Sequence, residues 1–261
     1  PVYLLCAGAY VASDFRLFAA YPDKMFKWGY FPEFIEYDEA ELFEKKPKST
    51  RILWSGRMID WKHAEDAVYA AARLKEKGVP FHLTMIGEGD RKVGIEAKIL
   101  EAKLSDRITL YPFMKPKEVR EHMKNSDIYL MTSDYEEGWG AVVNEGMNSG
   151  CVEVANVEVG AAPFLIRHKQ NGLVYKEGSY EDFRDCVMQL MENKELIIEY
   201  GKAAYETIVS EWNAENAASQ VVRFYENWKQ GIVEPPKSGP LSVAPVISPK
   251  KMYGYMTGLQ K

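Results

Sequence analysis

The sequence predicts an α/β fold in which a parallel sheet is covered by helices on both faces. The first observation is a repeated alternation, from residue 51 onward, of short apolar runs with segments of helical period. The second is that glycines and polar residues directly follow four of these runs. Right-handed crossovers place the carboxyl ends of parallel strands on one edge of a sheet, where ligands of such folds bind.

Six apolar runs predict the strands of the sheet. They are residues 51–56, 81–89, 107–113, 127–133, 151–157 and 172–178. Segments with the period of a helix lie between the first four, at residues 64–78, 94–104 and 117–126. From residue 179 to about residue 228 the pattern predicts helices alone.

Composition divides the chain into three regions. We expect residues 50–230 to form the sheet domain. Residues 1–49 contain many aromatic side chains without a clear period. Residues 231–261 hold five of the 13 prolines, which predicts an extended or disordered segment. Because the chain begins at Pro1 rather than Met, we expect it to be a fragment of a longer protein.

The overall composition is that of an ordinary water-soluble protein. Hydrophobic residues make up 46% of the 261 residues, and the net charge of −5 argues against a general nucleic-acid surface. No apolar run approaches the roughly 18–20 residues of a membrane span. The three cysteines, Cys6, Cys151 and Cys186, have no metal-site spacing, which indicates free thiols and a cytoplasmic location.

One stretch, DYEEGWGAVVNEGMNSG (134–150), combines carboxylates with a glycine turn. The turn Gly138-Trp139-Gly140 is followed by a helical pattern, so its N–H groups are available to phosphate. If the helix begins near Trp139, Glu137 and Glu145 lie about 9–12 Å apart along it. Carboxylates accept hydrogen bonds from vicinal hydroxyls, so this spacing suits a nucleotide sugar, with a diol at either end of a diphosphate.

Two basic side chains and three further residues complete the binding site predicted at the carboxyl edge of the sheet. Arg57 follows the first strand, Lys62 begins the next helix, and together they offset a diphosphate. Gly56, Gly87 and Met114 follow the first three strands and approach the same edge. The chain contains no Asp-x-Asp pair, so we expect no metal.

Four motifs in order resemble the C-terminal, donor-binding half of GT-B glycosyltransferases of the retaining family 4. The similarity extends over about residues 50–228 and implies a Rossmann-like, doubly wound parallel sheet. The motifs are SGRMIDWK (55–62), MIGEG (85–89), EEGWGAVVNEG (136–146) and GAAPFLIRHKQNGLVY (160–175).

The resemblance implies a role for each candidate residue. Glu137 would act on the donor sugar as the catalytic residue, Glu145 would hold the ribose diol, and Arg57 and Lys62 would bind the diphosphate. The remaining donor-binding residues would be Gly56, Gly87, Met114, Gly138, Trp139 and Gly140. The reaction implied is transfer of a hexose, with retention, from a UDP- or GDP-linked donor to a glycan, lipid or small molecule, without a metal or other cofactor.

The chain departs from this family pattern in three respects. The aromatic residue of the Gly-x-Gly turn is Trp139, where the family usually has Phe. Glu153 stands within the fifth apolar run, where a carboxylate is unusual. The N-terminal, acceptor-binding half is nearly absent: residues 1–25 resemble only its last piece and residues 29–34 the hinge. Acceptor binding and any membrane association would then depend on the missing half. Two other functions stay open, a nucleotide-sugar epimerase on the same scaffold and a non-catalytic nucleotide-binding module.

Overall fold

The computed structural model describes residues 2–43 and 49–259, with strands in two parallel sheets. The strands are β1 (Leu4–Ala7), β2 (Met25–Trp28), β3 (Thr50–Ser55), β4 (Phe81–Ile86), β5 (Ile108–Tyr111), β6 (Ile128–Met131), β7 (Val152–Asn156) and β8 (Gly172–Tyr175). The α-helices are α1 (Val11–Leu17), α2 (Glu39–Phe43), α3 (Ala64–Glu76), α4 (Lys92–Glu101), α5 (Pro116–Lys124), α6 (Ala141–Asn148), α7 (Ala162–Leu165), α8 (Tyr180–Glu192), α9 (Lys194–Glu206), α10 (Ala214–Lys229) and α11 (Pro249–Thr257). A 3₁₀ turn spans Asp60–Lys62, and a π turn spans Thr207–Glu211.

The larger sheet has the order β5-β4-β3-β6-β7-β8, and all its strands are parallel. The six predicted strands are therefore confirmed. This is the strand order of a doubly wound sheet: successive strands are added on one side as far as β5 and on the other side from β6 onward. The switch point lies between β3 and β6, and ligands of such sheets bind in the crevice at the carboxyl edge there.

Apolar side chains alternate along the strands and form a core on each face of the larger sheet. In β3, Ile52 and Trp54 join the core under α3, α4 and α8, whereas Leu53 joins the core under α5, α6 and α7. Helices therefore cover both faces, as the sequence pattern predicts. In the part of the chain that the structure describes, no helix is both long and apolar enough to cross a bilayer.

The two ends of the chain pack against each other. Backbone hydrogen bonds join β2 to the segment that precedes α11: Lys27 N–H donates to Ser242 (2.7 Å) and Leu241 N–H to Lys27 (2.8 Å). The prediction of an extended or disordered C-terminal segment is wrong for α11, because Met252 of this helix is fully buried. The prediction failed because it rested on proline content alone. Pro249 occupies the first turn of the helix, where an N–H has no acceptor within the helix, so the proline does not destabilise it.

Glu153 lies in the middle of β7 and is fully buried. Neither of its carboxyl oxygens has a hydrogen-bond partner in residues 2–43 and 49–259. Burial raises its pKa well above the usual range, which favours the protonated, neutral form of the side chain. It lies against Gly146 of α6, where any Cβ would collide with its Oε1.

Candidate active site

Four contacts join the loop after β3 to the loop after β6, across the switch point. The Thr132 hydroxyl donates to the Lys62 carbonyl (2.6 Å), and the Asp134 N–H donates to the Trp61 carbonyl (3.0 Å). The His63 Nε2 lies 3.1 Å from the Asp134 carboxylate. Lys62 and Glu137 supply the fourth contact, an ion pair. Together these contacts fix the two sides of the crevice relative to each other.

The ion pair brings together two predicted site residues. The Lys62 ammonium contacts the Glu137 carboxylate, and the Ser133 hydroxyl lies 3.3 Å from the same carboxylate oxygen. The Lys62 and Glu137 side chains are only 15% and 16% exposed, so their attraction is screened less than that of a surface pair. The carboxylate is therefore held at a defined position in the crevice.

The second predicted cation, Arg57, shares an aromatic ring with Lys62. The Arg57 guanidinium carbon lies 5.7 Å from the centroid of the Trp61 ring, and the Lys62 ammonium lies 4.5 Å from it. Cations are attracted to the face of an indole ring. Trp61 was not among the residues predicted from the sequence, although its position next to Lys62 was an available signal.

A cavity of about 560 Å³ opens beside Arg57, within the size range of small-molecule sites. Five predicted donor-binding residues line it, namely Gly56, Arg57, Gly87, Met114 and Glu145. Most of its other walls are apolar, from Ile86, Phe113, Pro116, Val119 and Val142. The cavity therefore offers an apolar slot whose lining also includes the Arg57 guanidinium and the carboxyl groups of Glu88 and Glu145.

Gly87 allows the ends of β3 and β4 to approach closely. A Cβ at Gly87 would collide with the carbonyl oxygen of Gly56. The two strand ends are also joined by the Gly56 N–H, which donates to the Ile86 carbonyl (3.0 Å). A glycine at position 87 is therefore explained by packing, and it also forms part of the cavity wall.

Glu145 lies in the second turn of α6. Burial raises its pKa above the usual value, and the charge of Arg120 partly opposes this rise. The predicted helix start near Trp139 is wrong, because α6 begins at Ala141. The separation of 9–12 Å, which assumed helical rise from Trp139 onward, therefore does not apply to Glu137, which lies in the preceding turn.

Residues 38–207 match the family model for Glycosyl transferases group 1. The chain belongs to this family. It is 27% identical over 198 residues to the amylovoran biosynthesis glycosyltransferase AmsK of Erwinia amylovora, covering 72% of this chain and 48% of AmsK. The chain thus spans about half the length of this curated relative.

Solved structures of group 1 glycosyl transferases and related proteins share the fold. A structure of a TarM mutant from S. aureus, in complex with fondaparinux, α-GlcNAc-glycerol and UDP, has a TM-score of 0.70 at 19% identity and covers 85% of this chain and 43% of TarM. The C-terminal domain of the group 1 protein LpcC from Francisella tularensis has a TM-score of 0.59 at 24% identity, covering 69% of this chain and 95% of that domain. These likenesses confirm the Rossmann-like α/β fold.

In this group 1 glycosyl transferase, the turn before α6 offers backbone rather than side-chain contacts. The Trp139 side chain is 3% exposed, and its ring N–H donates to Asn144 (2.9 Å). Gly138 is exposed, and Gly140 adopts a left-handed conformation (φ +90°) that leads into α6. The Val143 N–H donates to the Gly140 carbonyl (2.9 Å), and the N–H groups at the start of a helix carry a partial positive charge that favours anions.

Within residues 2–43 and 49–259, no group of three or more His, Cys, Asp or Glu side chains has an arrangement that could hold a metal ion. Arg57 and Lys62 place two positive charges next to the Trp61 ring.

Proposed function

We propose that this chain is the donor-binding, C-terminal half of a retaining hexosyltransferase, with Glu137 as the catalytic residue. The enzyme transfers a hexose from a nucleoside-diphosphate sugar to an acceptor glycan, lipid or small molecule. One observation carries the proposal: Arg57, Lys62, Glu137 and Glu145 lie on the loops and helix that border one crevice, at the switch point of the sheet.

The shares of two relatives that this chain covers support its assignment to the C-terminal half. The chain covers 95% of the C-terminal domain of LpcC and 48% of AmsK. We propose that a preceding half supplies the acceptor site and any membrane attachment. A cytoplasmic location fits the three thiols, Cys6, Cys151 and Cys186, which are all free and buried.

The cavity suits the nucleoside part of the donor. A base would enter the apolar slot, and the Glu145 carboxylate would accept hydrogen bonds from the ribose hydroxyls. UDP is present in the TarM structure, so we propose UDP as the first nucleotide to test, with GDP as the alternative. No other cofactor enters the proposal.

The diphosphate would lie between the cavity and Glu137. There Arg57, Lys62 and the N–H groups at the start of α6 would bind its oxygens. When the bond from the anomeric carbon to the phosphate oxygen breaks, its electron pair passes to the diphosphate. The same cations then stabilise the leaving group, so no metal is required. An acceptor hydroxyl oxygen forms the new bond on the same face of the sugar and passes its proton to the departing diphosphate.

Lys62 would change partners when the donor binds. In the free chain its ammonium is paired with Glu137. A diphosphate that shares the ammonium weakens this pair, and the Glu137 carboxylate can then accept hydrogen bonds from hydroxyls of the donor sugar. The pair therefore holds both groups in position before the donor arrives.

Calorimetry of the chain with UDP, GDP and their glucose derivatives tests the proposal. We expect Arg57→Ala to weaken nucleotide binding about 10–100-fold, the value of a charge-assisted hydrogen bond. Arg73→Ala is the matched control, because Arg73 lies on α3 and pairs with Glu76. Equal affinity of Arg57→Ala and the wild type would contradict the proposal.

Turnover of the full-length enzyme tests the role of Glu137 separately. We expect Glu137→Gln to lower kcat by at least about 100-fold, the range for loss of a charged group that stabilises the transition state. Nucleotide affinity should change much less, because Glu137 contacts the sugar and not the nucleotide. Wild-type kcat in this variant would reject Glu137 as the catalytic residue.

A further inference from the structure

The segment before the sheet domain, residues 29–37, is held by a buried side chain of α6. We call it the linker segment. The Ile35 N–H donates to Asn148 Oδ1 (2.8 Å), and Asn148 Nδ2 donates to the Ile35 carbonyl (3.0 Å). Asn148 is 1% exposed. Its amide therefore pairs with the linker backbone in the way that a neighbouring strand would.

Arg120 of α5 joins the same contact. Its guanidinium donates to Asn148 Oδ1 and to the carbonyl of Glu33. Its Nε–H is buried and has no acceptor in the described part of the chain. Arg120 and Asn148 thus connect the linker segment to two helices at once, and the guanidinium still has an unused donor.

Both helices also form the nucleotide cavity. Val119, the residue before Arg120, lines it from α5, and Glu145, one turn before Asn148, lines it from α6. Arg120 lies close enough to Glu145 for its charge to oppose the effect of burial on the pKa of that carboxyl. The residues that hold the linker segment therefore adjoin the residues that meet the nucleotide.

We propose that Arg120 and Asn148 are positioning residues that couple the linker segment to nucleotide binding at Glu145. The inference rests on the proposed function, because it requires a nucleotide in the cavity. Coupling of this kind is reciprocal. Nucleotide binding should tighten the contacts of Glu33 and Ile35, and release of the linker segment should weaken nucleotide binding.

Hydrogen exchange of the Ile35 amide is the first test, with UDP as the probe. UDP should slow this exchange in the wild type, because Asn148 is the acceptor of the amide hydrogen bond. Asn148→Ala should abolish the effect of UDP. Tyr205→Phe is the matched control: the Tyr205 hydroxyl also holds the linker segment, through the N–H (2.8 Å) and carbonyl (3.3 Å) of Tyr37, but Tyr205 does not line the cavity. This control should bind UDP as the wild type does.

The pH dependence of UDP affinity is the second test, since a purely structural defect would weaken binding equally at every pH. Glu145 must be ionised to accept ribose hydroxyls. The charged or titratable groups around it are Arg120 from α5, Tyr129 from β6, and Arg57 and Glu88 from the strand-end loops. UDP affinity should fall on acidification as Glu145 takes up a proton. Arg120→Met should move this fall to a higher pH, because the positive charge of Arg120, which lowers the pKa of Glu145, is gone.

Two variants distinguish the effect of the Arg120 charge from the effect of the contacts with the linker segment. Arg120→Lys keeps the charge, so it should keep the wild-type pH profile while lowering UDP affinity a few-fold. Asn148→Ala should likewise leave the pH profile in place. UDP binding without any change in the exchange of Ile35 would overturn the coupling alone. Absence of binding of both UDP and GDP to the wild type would overturn the proposed function, and the coupling with it.

Discussion

At the scale of single residues, Trp61 organises the cations of the crevice. Both Arg57 and Lys62 lie within 6 Å of its ring, with separations of 5.7 and 4.5 Å from the centroid. Like charges repel, so a shared π face offsets part of the cost of holding two cations together. The ring thereby keeps both groups near the position that a diphosphate would take.

Replacement of Trp61 should therefore weaken nucleotide binding through the cations. We expect Trp61→Leu to lower UDP affinity about 2–30-fold, the range of one cation–π contact. Trp61→Phe should lose less, because it keeps an aromatic face. Calorimetry measures both, and Tyr69→Leu is the control, since Tyr69 makes the same kind of contact with Arg73 on α3. Equal losses of UDP affinity in Trp61→Leu and Trp61→Phe would show that an aromatic ring at this position does not contribute to binding.

The sequence placed Arg57 directly after β3, and the rule that parallel strands end at one edge of a sheet brings it to the carboxyl edge. Glu145 was instead predicted from its spacing along a helix, and the binding roles of both residues stay predictions. The direction of a side chain was harder to predict: the Trp139 ring lies in the core against Trp212. Arg120 and Asn148 were missed because their contact joins residues 28 positions apart, and no local pattern marks it.

At the scale of elements, α6 packs on β7 through a glycine and a buried carboxyl group. The Glu153 carboxyl fills the space over Gly146, so α6 approaches the sheet closely at this point. Burial without a hydrogen bond keeps the Glu153 pKa well above its usual range. Helix α6, which carries Glu145, therefore packs on the Glu153 carboxyl, which loses its proton more readily in the unfolded chain than in the folded one.

This arrangement predicts that Glu153 makes stability depend on pH. A raised pKa in the folded state means that the unfolded chain binds fewer protons above pH 4.5, so this contribution falls as the pH rises. Glu153→Gln should match the wild type near pH 4 and be about 1–3 kcal/mol more stable at pH 8. Urea unfolding at the two pH values measures the difference.

Glu96→Gln serves as the control for this substitution. Glu96 is an exposed carboxylate on α4, so its replacement should change the free energy of unfolding by less than about 0.5 kcal/mol at either pH. If Glu153→Gln showed the same small change at pH 8, Glu153 would not be buried as a neutral acid.

At the scale of the whole molecule, the chain ends form a structural unit with the sheet domain. Cys6, Ala12, Met25 and Ala244 make a small core of their own, which joins the first 25 residues to the C-terminal segment. Met252 of α11 packs into the core on one face of the larger sheet. The sequence did not predict this pairing, because the contacts link positions more than 200 residues apart.

The C-terminal segment should therefore contribute to stability. We expect Met252→Ala to lower the free energy of unfolding by about 2–5 kcal/mol, the cost of a cavity in a packed core. Val246→Ala, at a position that is 48% exposed, should change it by less than about 0.5 kcal/mol. Equal stabilities of the two variants in urea unfolding would show that α11 does not pack on the domain.

The central claim is that the crevice between the loops after β3 and β6 holds a nucleoside diphosphate. A crystal structure of the chain with bound UDP-sugar tests it most directly. We predict that the diphosphate contacts Arg57 and Lys62, that the ribose meets Glu145, and that the sugar lies beside Glu137. A nucleotide bound away from this crevice, with the Lys62–Glu137 pair undisturbed, would contradict the account.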